Sequence, residues 1–132
     1  MAPAQVELPG DGGFKLQVVG ESHYQDALEK ICGPRDTAVD DGYGLGVFVD
    51  VPARLVLDDS NPYDQNAVRV EVRDQHVGFL SRGDAKAYRQ FLQQQGNPTA
   101  VGVCPAQIRG GFPMREGGRA PYGISLDFTL YG

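Results

Sequence analysis

From Val47 to Leu57 every odd position is apolar (Val47, Val49, Val51, Ala53, Leu55, Leu57), and this period of two predicts a strand with one buried face. Pro52 interrupts the run and has no N–H to give a ladder, so a bulge or a sheet edge is expected near it. Val68, Val70 and Val72 then alternate with Arg69, Glu71 and Arg73, and a short turn at Asp74 and Gln75 leads into His76–Leu80. That pattern predicts a hairpin. Phe14–Val19, ended by Gly20, reads as an earlier strand, Thr99–Ile108 as a later one, and Ile124, Leu126, Phe128 and Leu130 mark a final one.

The period changes to a helical one in two places. Ala27, Leu28 and Ile31 share a helical face, as do Ala85, Tyr88, Phe91 and Leu92. Ser81 and Asp84 carry the capping signal that starts the second helix, and Gly96, Asn97 and Pro98 stop it. Gly33–Gly46 is turn-rich, and its GYGLG neither follows the phosphate-binding glycine pattern nor precedes a helix, so a surface loop is expected. Arg109–Pro121 reads as a second loop. No repeat or linker divides the chain. The expectation is a mainly β fold, a small barrel of about six strands with two short helices plugging its ends. Residues 1–13 are expected to be a flexible N-terminal segment, and 14–132 a single domain.

Composition sharpens this only at a few points. At 132 residues the chain is long enough for one hydrophobic core, and its 18 glycines and 9 prolines suit many turns between short strands. Nothing in it reads as a signal peptide or a membrane span, so the expected location is cytoplasmic. Cys32 and Cys104 stand far apart, outside any CxxC or zinc spacing, and are read as free thiols with no metal or other cofactor. The net charge of −5 disfavours a binder of long duplexes, which needs cations to neutralise phosphates. The charge is unevenly spread, however: residues 1–64 sum to −8 and 65–132 to +3, so the second half can build a local basic site.

The candidates for catalysis are Asp58, Asp59, Asp64, His23 and His76, and none forms a catalytic spacing, so no enzyme activity is expected. The segment NPYDQNAVRV from Asn61 to Val70 is more informative. Asn61 and Pro62 make a turn, and Asp64 and Asn66 are side chains that close loops on their own backbone. Taken alone, that structural role accounts for them.

Together with VVG at Val18–Gly20, VGFL at Val77–Leu80, the helix that follows and the terminal FTLYG, this segment resembles the HIRAN domain family over Phe14–Gly132. HIRAN domains occur attached to chromatin-remodelling and DNA-repair helicases, and alone in bacteria. The resemblance implies an OB-like β-barrel that grips the 3′-hydroxyl end of single-stranded DNA, in a repair or replication-stress context, with a helicase or nuclease as a partner. On that reading Asp64 accepts a hydrogen bond from the terminal hydroxyl, Tyr63 stacks on the terminal base, and Arg82 neutralises the penultimate phosphate. His23 and Tyr24 complete the expected site. The sequence departs from the family's DNA-binding pattern at Ser22, where an arginine is expected, at Phe79, which replaces a polar residue, and in the Gly33–Gly46 loop, which looks like an insertion. The alternative is a barrel that binds another protein and no DNA, which the acidic charge and Ser22 favour.

Overall fold

The computed structural model describes residues 3–33, 47–112 and 114–131. Within them lie seven strands, β1 (Gln5–Glu7), β2 (Leu16–Gln17), β3 (Val47–Leu57), β4 (Val68–Val72), β5 (Gln75–Phe79), β6 (Val101–Gly110) and β7 (Gly123–Leu126), and two helices, α1 (Gln25–Cys32) and α2 (Arg82–Gln94). A 3-10 turn at Glu21–His23 precedes α1. The expected loop at Gly33–Gly46 lies outside the described residues from position 34 onward.

The strands form one curled sheet in the order β2-β7-β6-β3-β4-β5, with β1 added in parallel to β6. Antiparallel pairing between β3 and β6 runs unbroken from Val47↔Gly110 to Leu55↔Gly102. The curl brings the ends together: after leaving β7, the chain of β2 reaches β5 at the isolated bridge between Val19 and Phe79. The architecture is mainly β and that of a small OB-like barrel.

Side-chain alternation places the core inside this curl. Val51, Ala53 and Leu55 of β3, Val68, Val70 and Val72 of β4, and Ala106 and Ile108 of β6 all pack there, joined by Leu28 from α1 and by Ala85, Tyr88 and Leu92 from α2. Each helix therefore closes the barrel with the apolar face that its spacing foretold. Ser81 caps α2, its Oγ accepting from the Asp84 N–H at 3.2 Å.

Pro52 causes no bulge on its β6 side, where it faces Pro105 in register. The Pro105 carbonyl accepts from Asp127 N–H on the far side of β6, so this is a pair whose backbone nitrogens point away from each other. Pairing of β4 with β3 begins only at Arg54, so the missing N–H of Pro52 falls where no neighbouring strand is paired. The bulge lies in the hairpin instead, between Val70 and Glu71. That hairpin turns at Arg73 and Asp74, with φ of 49° and 63°, the pair of positive values a primed two-residue turn requires.

Two expected segments take a different shape. Within residues 1–13, Gln5–Glu7 pair with Val101–Val103 and Leu8 is buried in the core. The final strand stops at Leu126: Asp127 keeps one backbone bond to the Pro105 carbonyl, the Thr129 N–H then goes to Pro9, and the Asp127 carboxylate accepts from the Gly12 N–H at 2.9 and 3.2 Å, pinning the N-terminal segment to the barrel. Phe128 remains buried beyond the strand, edge-on to Tyr88 and Phe91. No helix among the described residues is long and apolar enough to cross a membrane.

Candidate nucleic-acid interface

The loop between β3 and β4 is held in shape by its own polar side chains. Asn61 Oδ1 accepts from the backbone N–H groups of Tyr63 (2.8 Å) and Asp64 (3.1 Å), and its Nδ2 donates to Asp58 Oδ2 at 3.2 Å. Asp64 Oδ1 then accepts from Asn66 N–H at 2.9 Å. These are the side-chain-to-backbone closures that Asx residues make in turns. They leave Asp64 Oδ2 without a hydrogen-bond donor among the described residues. The turn also forces Tyr63 outward, 85 % exposed.

Arg82 stands in the first turn of α2, directly after the Ser81 cap, and its Nη2 reaches the Tyr63 carbonyl at 3.5 Å. Its remaining donors are unengaged among the described residues. Between this turn and the place where the barrel closes lies a cleft of about 440 Å³. Tyr63, Asp64 and Arg82 line one part of it, and Val19, Phe79 and Tyr24 another.

Tyr24 is brought there by the fold rather than by local sequence. Gln25, next to it, pairs its side-chain amide with the backbone of Tyr122, donating to the carbonyl at 2.9 Å and accepting from the N–H at 2.8 Å. This fixes the start of α1 against the entry to β7. The Tyr24 ring then lies 4.2 Å from that of His76 and 6.2 Å from that of Phe79, and His76 meets Phe79 edge-on at 4.7 Å. His76 Nε2 donates to the Gly78 carbonyl at 3.0 Å. Burial pushes the His76 pKa down, partly offset by that backbone bond.

Four of the five expected site residues, Tyr63, Asp64, Arg82 and Tyr24, thus line one cleft. His23 does not; it sits exposed on the 3-10 turn. Ser22 is likewise outside the cleft, beside a separate hollow with Glu21 and Gln25. Phe79, noted in the sequence only as a departure, is part of the cleft and supplies an aromatic face there. Of the other carboxylates weighed in the sequence, Asp58 receives the Asn61 amide and Asp59 pairs with Arg89 at 2.9 Å. Among the described residues no three His, Cys, Asp or Glu side chains are grouped to hold a metal ion.

Arg89 is a residue that the sequence did not single out. Its Nε and Nη2 donate to the carbonyls of Asn66 and Ala67, each at 2.9 Å, and its Nη1 to Asp59. Only its spacing of seven from Arg82, two helical turns on one face of α2, hinted at a shared task.

The HIRAN domain family model matches residues 13–109, which include the whole β3–β4 loop, the hairpin and α2. No curated protein and no solved structure matches the chain. With well over half of its length matched and with the motif residues gathered on one cleft, the chain belongs to the HIRAN domain family.

Proposed function

We propose that this chain is a non-catalytic module that binds the 3′ ends of single-stranded DNA, with the terminal nucleotide in the cleft beside Asp64. HIRAN domains are known as DNA-binding modules, which gives the general class. The observation that carries the finer reading is the state of the Asp64 carboxylate in a cleft that also has an exposed tyrosine and an exposed arginine. Oδ1 is held by the Asn66 N–H, so the group is oriented, and Oδ2 accepts nothing from the described residues.

An acceptor of this kind selects its ligand by charge. A free 3′-hydroxyl donates to it, whereas a 3′-phosphate or a continuing strand brings a negative charge against it. Tyr63, held out at the rim, offers a face for the terminal base, and Phe79 and Tyr24 add apolar surface within the cleft. Arg82 supplies the cation for the penultimate phosphate. One such contact suits a protein with a net charge of −5, because an end-binding site engages few phosphates. A DNA-repair or replication-stress setting, with a helicase or nuclease as partner, is part of the proposal, and the helicases to which HIRAN domains occur attached support it.

The rival reading, a barrel that binds another protein, draws on the acidic charge and on Ser22 in place of the family's arginine. Fluorescence anisotropy with short single strands ending in 3′-hydroxyl or 3′-phosphate separates the two. A clear preference for the hydroxyl is expected; weak or equal binding supports the rival.

A further inference from the structure

We infer that Arg89 is the positioning residue of this site: it sets the preference for a 3′-hydroxyl by fixing the Asn66 carbonyl, one Cα away from the N–H that orients Asp64, and it makes no contact with the DNA itself. The inference rests on the end-binding reading above. Its geometry is a short relay. Arg89 Nε holds the Asn66 carbonyl at 2.9 Å, and the Asn66 N–H holds Asp64 Oδ1 at 2.9 Å. Arg89 Nη2 holds the next carbonyl, that of Ala67, at 2.9 Å, so the guanidinium grips two successive peptides at once.

Lysine cannot reproduce that grip, because its single ammonium lacks the rigid fork. The side chain is also mostly covered, at 19 % exposure, and its third contact is the Asp59 carboxylate. Three donor nitrogens are therefore spent on the protein and the charge is matched, which leaves little to attract a phosphate. Arg82 differs in each respect, being exposed with one long backbone contact. The two arginines of α2 thus divide the work. One faces the ligand's phosphate, and the other holds still the carboxylate that reads the end. Orientation of this sort changes discrimination more than overall attraction.

The test compares wild type, Arg89→Lys and Asp59→Asn for affinity to a 3′-hydroxyl and a 3′-phosphate single strand across a salt series. It adds hydrogen exchange at the Asn66 amide. For Arg89→Lys, the hydroxyl preference should fall roughly three- to tenfold with an unchanged salt slope, while the Asn66 amide exchanges at least tenfold faster than in wild type. Asp59 is 76 % exposed, so Asp59→Asn keeps the question answerable if Arg89→Lys does not fold. It should lower the preference in the same sense, by a smaller factor. A folded Arg89→Lys with its preference intact overturns the inference alone, as does a salt slope that drops as if a phosphate contact had gone. An Asp59→Asn with unchanged preference, when Arg89→Lys is unfolded, does the same. Absence of any preference in wild type overturns the end-binding reading and this inference with it.

Discussion

Val19 and Phe79 exchange both of their backbone hydrogen bonds, at 2.8 and 2.9 Å, and this single pair is where the curled sheet meets itself. The same two residues line the cleft. Closure of the barrel and construction of the site are therefore one event. Gly78 makes the close approach feasible, because a Cβ there would fall on the Val18 side chain and lie 2.9 Å from the Val19 carbonyl. Gly78→Ala should cost about 1–3 kcal/mol of stability, the usual range for overpacking a tight contact. Urea denaturation measures it, and a cost near zero would mean that the seam yields freely.

Tyr63 and Arg82 should be separable by the kind of loss each causes. Tyr63→Ala removes a face for one base, about 1–3 kcal/mol of binding, and should leave the melting temperature nearly unchanged because the ring is already in water. Arg82→Ala should weaken hydroxyl- and phosphate-ended strands alike and reduce the slope of log K against log salt by roughly 0.7, the share of one phosphate on a single strand. Anisotropy titrations at several salt concentrations check both. An Arg82→Ala variant with the wild-type slope would show that this guanidinium meets no phosphate.

Much of this arrangement was legible in the sequence, and the failures have physical causes. The bounds of β3 coincide with the predicted Val47–Leu57 because an eleven-residue alternation leaves little freedom of register. Ser81 announced α2 through a local capping bond. By contrast, β1 is three residues long and gains its meaning only from Val101–Val103 at the other end of the chain, so no local pattern marks it. The strand expected at Phe14–Val19 keeps only Leu16–Gln17 as ladder, since Phe14 takes a positive φ of 48° before it and Val19 has left β7 for β5 after it. In the site, the Asn61–Asp64 turn was readable from its Asx residues. Arg89 was not, because its partners lie 22 and 23 residues away and the contact depends on how α2 docks.

His76 gives the fold a dependence on acid. Its pKa is lowered from 6.5, first by burial and further by Arg69, against the opposing pull of the Gly78 carbonyl, Glu71 and Asp58. A lowered histidine pKa means that the unfolded chain takes up the proton at a pH where the folded chain does not. Its contribution is therefore fully present above about 6.5 and is lost as the pH falls through 6.5 toward the folded value. His76→Gln should flatten the decline in stability between neutral pH and pH 5, measured by chemical denaturation at each pH. An unaltered pH profile would show that the ring carries no such linkage.

The two thiols should be poorly reactive in the folded protein, Cys104 most of all. Burial pushes Cys104 up to about 12 and raises Cys32 as well, so neither offers much thiolate near neutral pH. Iodoacetamide at pH 8 followed by mass spectrometry should leave Cys104 unmodified until denaturant is added, with Cys32, only partly buried, reacting slowly. Rapid labelling of Cys104 without denaturant would mean that this part of β6 opens readily.

Asp64 Oδ2, which accepts no hydrogen bond from the described residues, is the atom proposed to read the 3′-hydroxyl. Asp64→Asn isolates it, because the amide keeps an Oδ1 to accept from Asn66 N–H while a donor takes the place of the free acceptor. The decisive measurement is the ratio of dissociation constants for 3′-phosphate and 3′-hydroxyl strands, in wild type and in this variant. A wild-type preference for the hydroxyl of roughly tenfold or more, about 1.4 kcal/mol, is expected, and it should collapse toward unity in Asp64→Asn. Equal affinities in wild type, or a preference that survives the substitution, would show that Asp64 does not read the 3′ end.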